Sequence, residues 1–275
     1  MALAVGGGGA MTVALRRMGG TLLSIALSIA FVTVAWMAFI KYFSVNPMVA
    51  KSPSDVWDYL FTVPEAADNR ALVLDGLWTT LRDAGVGLAA GLAAAVAVAM
   101  VFVLSRTAER SFMPVAMVVR SVPLVAMTPV LTLVFGRGLL ATTVITGLIV
   151  FFPALVNMVL GLRSAPAQAA DLVRAYGGTS WTTMRKVMIP TALPAFFASA
   201  RISAPGSLIG ALLAEWLATG KGLGYQMLTD FSTFKYNDLW TSVVVVTAAS
   251  LIVYTLIGVL EAFVLARFGP APESA

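Results

Sequence analysis

Four stretches of this sequence carry no charge over 22 to 25 consecutive positions: 18–40, 84–105, 138–162 and 239–260. At 1.5 Å per helical residue, each is long enough to cross a hydrocarbon layer about 30 Å thick. The composition agrees. The chain is 59% hydrophobic and only 11% charged, with a mean hydropathy of +0.91, whereas a soluble domain carries roughly 25% charged residues. The expected class is an all-α membrane protein whose 275 residues are accounted for by spans and their loops. Cysteine and histidine are absent. That removes disulfides, thiolate metal sites, cysteine nucleophiles and the usual general base. No G-x-x-x-x-G-K-[ST] occurs, so ATP has to be bound by another chain.

Six spans are expected, at about 18–40, 77–105, 111–136, 138–162, 191–217 and 239–265. Residues 1–17 read as a flexible arm and 268–275 as a short tail. Arg16 and Arg17 before an apolar run resemble a signal peptide, but 18–40 is span-length and no small-residue cleavage site follows, so it is read as retained. Ser52-Pro53-Ser54-Asp55-Val56-Trp57 reads as a capped start of an interfacial helix. Gly85, Gly87 and Gly91 suit close helix packing inside a bundle. Pro114, Pro123 and Pro129 break the third span around Arg120, which has two readings: snorkelling to headgroups, or an interior ion pair or gate. Asn157 in the fourth span is a candidate for interhelical hydrogen bonding or for lining the pathway. In the fifth, Arg201 and Glu215 lie 14 residues apart, about 21 Å along a helix, too far to pair. A charge within a span is by default a functional candidate, and for Glu215 the alternative is satisfying backbone groups at the end of its helix.

Residues 163–190 form a patterned polar interruption between two apolar segments. Leu172, Val173 and Tyr176 share one helical face by their spacing, beside Asp171 and Arg174. Gly177-Gly178 stops that helix, because glycine tolerates the positive φ of a helix C-terminal cap. Thr179 or Ser180 caps a second helix, with Trp181, Met184 and Val187 on one face and Arg185 and Lys186 beside them, expected to end at Pro190.

Asp171-Leu172-Val173, three residues, Gly177, nine residues, then Val187-x-Ile189-Pro190 resembles the "EAA" signature of binding-protein-dependent ABC-importer permeases. Its family form is Glu-Ala-Ala, three residues, Gly, nine residues, Ile-x-Leu-Pro. The spacing matches throughout, while Asp171, Leu172 and Val173 depart from the family's residues. Arg120-Ser121-Val122-Pro123 and Ala214-Glu215 with Gly222-Leu223-Gly224-Tyr225 are similar to further segments of the nitrate, sulfonate and taurine subgroup. The resemblance implies a type I (MetI-like) permease fold with both termini cytoplasmic. It assigns 163–190 as the loop that couples to the ATPase, through Asp171, Leu172, Val173, Arg174, Tyr176, Gly177, Trp181, Arg185, Val187, Ile189 and Pro190. Pathway or gate candidates are Arg120, Pro123, Asn157, Arg201 and Glu215.

The implied partners are two cytoplasmic ABC ATPases carrying ATP and Mg, an external substrate-binding protein and a second permease copy, with no cofactor or metal on this chain and no nucleic acid. The implied substrate is a small anion of nitrate, sulfonate or taurine type, the alternative being a vitamin or its precursor. Charge placement favours the same topology. Nine basic residues against three acids fall on the side of the termini and the signature loop, and seven against eight on the other. An ion-coupled secondary transporter would need more intramembrane acids than Glu215, and a membrane enzyme has no paired carboxylates, His or Cys in the spans to work with.

Overall fold

The computed structural model describes residues 27–268, and every regular element among them is helical. The described residues fall into two units, one up to Ala67 and one from Asp68 onward. The first contains α1 (Leu27–Tyr42) and α2 (Pro53–Phe61). The described part of α1 is apolar but shorter than a span, and the expected arm 1–17, residues 18–26 of the first span and the tail from 269 lie outside the described residues. In α2 the Ser52 hydroxyl accepts from the Asp55 N–H, the Ser52 N–H donates to the Asp55 carboxylate at 2.7 Å, and Pro53 opens the first turn. That backbone N–H holds the Asp55 carboxyl below its usual range.

From Ala66 onward the elements are α3 (Ala66–Leu104), α4 (Arg106–Ser121), α5 (Leu124–Phe135), α6 (Leu139–Arg163), α7 (Ala167–Ala175), α8 (Ser180–Thr183), α9 (Ile189–Ala214), α10 (Gly222–Ser232) and α11 (Tyr236–Phe268). Among the described residues, four helical paths are long and apolar enough to cross a membrane: Ala66–Leu104, Leu139–Arg163, Ser180–Thr219 and Tyr236–Arg267. α4 and α5 pass the same test only together, bent by 104°. The expected span 111–136 is therefore two helices meeting at a corner. Pro123 has no N–H to give and bars the helical conformation to Val122, which is extended with ψ 126°. α3 begins 11 residues ahead of the expected position 77. At about 58 Å it outruns the hydrocarbon layer, and its first turns carry Asp68, Asn69 and Arg70.

The second helix of the signature segment does not stop at Pro190. It runs through a π-helical turn at Met184–Met188 into α9 as one continuous path. Proline lacks an N–H and crowds the carbonyl four residues back. In the wider turn the Ile189 N–H bonds the Met184 carbonyl five residues back, which accommodates Pro190 without breaking the path.

The core of this unit is α6 packed along α9, with α3 against both. Leu155, Met158 and Leu162 meet Ala192 and Ala200, and Ala95, Ala99 and Phe102 of α3 join them. Close approach depends on small residues, as expected where lipid supplies no hydrophobic drive for helix association. Gly91 lies on the Gly147 carbonyl, where a Cβ would stand 2.7 Å from the oxygen, whereas Gly85 faces open space.

Candidate functional site

The signature segment folds as two short helical pieces around a bend. Gly177 has φ +78°, and the Gly178 N–H donates to the Val173 carbonyl at 2.8 Å, closing α7. Thr179 caps α8, its hydroxyl accepting from the Thr182 N–H at 3.2 Å. Thr183 and Met184 are buried, and Met184 belongs to the α3–α6–α9 core, so α8 is anchored to the bundle. Leu172, Tyr176 and Trp181 instead point outward, 58%, 86% and 55% exposed. Asp171 and Arg174 pair at 3.5 Å on the exposed side of α7. Arg185, Lys186, Ile189 and Pro190 are exposed, and Val173 and Val187 half-buried. Val173 thus leaves the face shared by Leu172 and Tyr176 and lies against Gly178. An apolar surface rimmed by Arg174, Arg185 and Lys186 remains. Arg163 pairs with Glu109, tying the start of α4 to the end of α6 beside this segment.

The interior candidates are scattered rather than assembled into one site. Arg120 ends α4 and is exposed at the mouth of a cavity formed by the Pro123 corner, with no carboxylate partner among the described residues. Asn157 is half-buried on α6 without a side-chain hydrogen bond to a described residue. Arg201 donates to Glu261 at 2.9 Å and to the Tyr254 hydroxyl at 2.8 Å, joining α9 to α11. Its guanidinium lies 4.8 Å from the Tyr254 ring centroid.

Glu215 opens a second π-helical turn, Glu215–Thr219, and is fully buried. One carboxylate oxygen accepts from the Gly224 N–H at 2.7 Å and from the Thr80 hydroxyl at 3.0 Å. Thr80 in turn accepts from the Leu223 N–H at 3.0 Å. The two side chains therefore cap the first turn of α10, whose N–H groups would otherwise be unpaired in the interior. Glu215 thereby serves one backbone N–H directly and a second through Thr80, while its other carboxylate oxygen is buried without a partner among the described residues. Its partner Thr80, 135 positions earlier, has no signal in the sequence that marks it for this role.

On α10, outside the spans, Asp230 has its carboxyl raised to about 6 by burial and then by Asp238. Its folded-state pKa exceeds that of an unfolded aspartate, so the folded state holds the extra proton between the two values. Stability is expected to fall as pH rises from about 4 to about 6. Asp230→Asn should flatten that part of a thermal-midpoint profile.

Residues 87–269 match the family described as "Binding-protein-dependent transport system inner membrane component". The chain is 28% identical over 233 residues to a "Probable ABC transporter permease protein" of Haemophilus influenzae, covering 85% of this chain and 93% of that one. It is 30% identical over 166 residues to the formylaminopyrimidine transport permease protein ThiX of Halalkalibacterium halodurans, covering 59% and 66%. Other relatives are named for riboflavin, aliphatic sulfonates and nitrate. Among solved structures, the MetNI methionine ABC transporter in inward-facing conformations superposes with a TM-score of 0.62 at 21% identity, covering 70% of this chain and 96% of that one. A match over most of the length, an all-helical fold shared with such permeases and several membrane-length helices give one conclusion: the chain belongs to the binding-protein-dependent ABC-importer permease family, as a multi-pass inner-membrane transport subunit and not an enzyme.

Proposed function

We propose that this chain, as one of two identical copies, forms the translocation pathway of an ATP-driven importer. In this reading it has six spans and cytoplasmic termini, an external binding protein delivers the solute, and two cytoplasmic ATPases carry the ATP and Mg. Segment 163–190 docks on the ATPase. The observation that carries the reading is the outward-facing set Leu172, Tyr176 and Trp181 on a bend anchored by Thr183 and Met184. Exposed apolar side chains on a rigidly held bend suit an apolar groove on a partner.

The mechanism follows from helix continuity. The path Ser180–Thr219 is about 60 Å long and carries a displacement of α8 along α9 to Glu215. There the Thr80–Glu215–Gly224 bonds pass it to α3 and α10. Arg201–Glu261 carries α11 with α9. ATP-driven approach of two such levers would rock the helices between inward and outward openings. Arg120 and the Pro123 corner, with Asn157, are the proposed pathway elements, and a small anion of nitrate, sulfonate or taurine type the proposed substrate. The names of two relatives, for formylaminopyrimidine and riboflavin, favour a second reading in which the same pathway imports a vitamin or its precursor.

Mild-detergent affinity purification of the tagged chain from its host, with mass spectrometry, tests the assembly. A stoichiometric ABC ATPase is expected among the bound proteins. A chain that purifies alone and moves its solute without ATP would overturn the reading.

A further inference from the structure

Between α3, α4 and α6 lies an open-sided chamber of about 530 Å³ whose lining residues are all apolar, among them Val98, Phe102, Ala116, Phe151 and the more exposed Phe112. A second cavity of about 410 Å³ opens at the α4–α5 corner and is lined by Arg120, Ser121 and Pro123. Val119, Leu148 and Phe152 line both, so the two spaces adjoin across these side chains. Arg120 stands about 21 Å along α4 from Arg106, well away from the end where Glu109 meets Arg163. The buried and half-buried acids of the spans are engaged elsewhere: Asp83 with Arg82, Glu261 with Arg201, and Glu215 with Thr80 and Gly224. A cation at this depth without a carboxylate is costly unless an anion joins it. The first turn of α5 has no side-chain cap beside it and adds unpaired N–H donors.

We propose that this double cavity takes an organic anion with an apolar body, its sulfonate or carboxylate head on Arg120 and its body in the Phe112–Phe151 chamber. The proposal rests on the transport reading and narrows its substrate class. The combined space falls within the roughly 300–1,000 Å³ of small-molecule sites. Nitrate would leave the apolar chamber unfilled, or would lose its hydration against it. A neutral solute would leave Arg120 without a counter-charge. A phospholipid shares the amphiphilic chemistry, but its headgroup would rest at the opposite end of α4, near Arg106 and Arg110, with its chain in the chamber.

The test is equilibrium binding of radiolabelled naphthalene-2-sulfonate to the permease–ATPase complex in nanodiscs of zwitterionic lipid, with empty nanodiscs as the blank. Saturable binding is expected, weakened about tenfold or more by Arg120→Gln and by Ala116→Trp, which fills the chamber, and largely restored by Arg120→Lys. A roughly tenfold excess of nitrate should not compete. Absence of saturable binding, equal competition by nitrate, or full binding in Arg120→Gln would overturn the proposal. So would loss of binding in Arg106→Gln/Arg110→Gln, or on adding phosphatidylglycerol, since either marks a lipid groove. Retention of the ATPase is scored on every variant. A folded permease that never holds an ATPase defeats the transport reading, whereas failed binding on an intact complex defeats only this proposal.

Discussion

Leu172→Asp should lower substrate-stimulated ATP hydrolysis by the assembled importer about tenfold or more and weaken retention of the ATPase, without unfolding the permease. Leu172 is 58% exposed and belongs to no core cluster, so a carboxylate there costs the isolated chain little. In a docked interface the same carboxylate would be desolvated without a partner. Gly177→Val should give a comparable loss by a different route. A Cβ at Gly177 meets nothing within 4 Å, so the damage is confined to the backbone. A β-branched residue at φ +78° is strained by about 1–3 kcal/mol and would re-aim α7 against α8. Gly177→Asn, which tolerates the left-handed region, should retain most of the activity. Unchanged stimulated ATPase in both Leu172→Asp and Gly177→Val would remove this segment from the docking surface.

The second large effect is expected at Gly222, and here it is a loss of stability. Gly222 has φ +85°, and a Cβ would land on the Glu215 carboxylate. Gly222→Ala therefore has to displace a fully buried, hydrogen-bonded side chain, at a cost of about 3 kcal/mol or more. Glu215→Leu should destabilise through the same network, leaving the Gly224 N–H without its acceptor at about 1–3 kcal/mol, while the Thr80 hydroxyl keeps the Gly76 carbonyl at 3.1 Å. Glu215→Gln keeps an acceptor oxygen and should be milder. Because the clash needs the carboxylate, Gly222→Ala should cost less in a Glu215→Ala background, with a coupling of about 1 kcal/mol or more in thermal or denaturant melts. Additive costs would mean that the carboxylate does not occupy the Gly222 face.

How much of this could be read from residues alone depended on the range of the interactions. The α7–bend–α8 unit was legible because its signals are local: glycine at a positive φ and Thr179 one position ahead of a helix, whereas the apolar spacing misplaced Val173, which turns from Leu172 and Tyr176, and Met184, which is buried while Trp181 points outward. Pro190 misled for a related reason. Proline usually marks a helix end, and nothing nearby signals that a π-helical turn at Met184–Met188 will absorb it. Pro123 announced a break, but its 104° angle depends on how α4 and α5 each pack. Interior partners were the least accessible. The sequence excluded an Arg201–Glu215 pair by distance along one helix, yet it gave no means of finding Glu261 60 positions from Arg201, or Thr80 135 from Glu215. Such pairings are set by which helices pack side by side, and apolar periodicity is weak in helices that are hydrophobic nearly all round.

The most direct test of the central claim is solute uptake into proteoliposomes holding this permease and its binding protein, with and without the co-purifying ATPase, in the presence of ATP. Uptake that requires the ATPase and ATP, and collapses in Leu172→Asp, is the predicted result. Uptake that proceeds without the ATPase, or survives Leu172→Asp undiminished, would contradict the account.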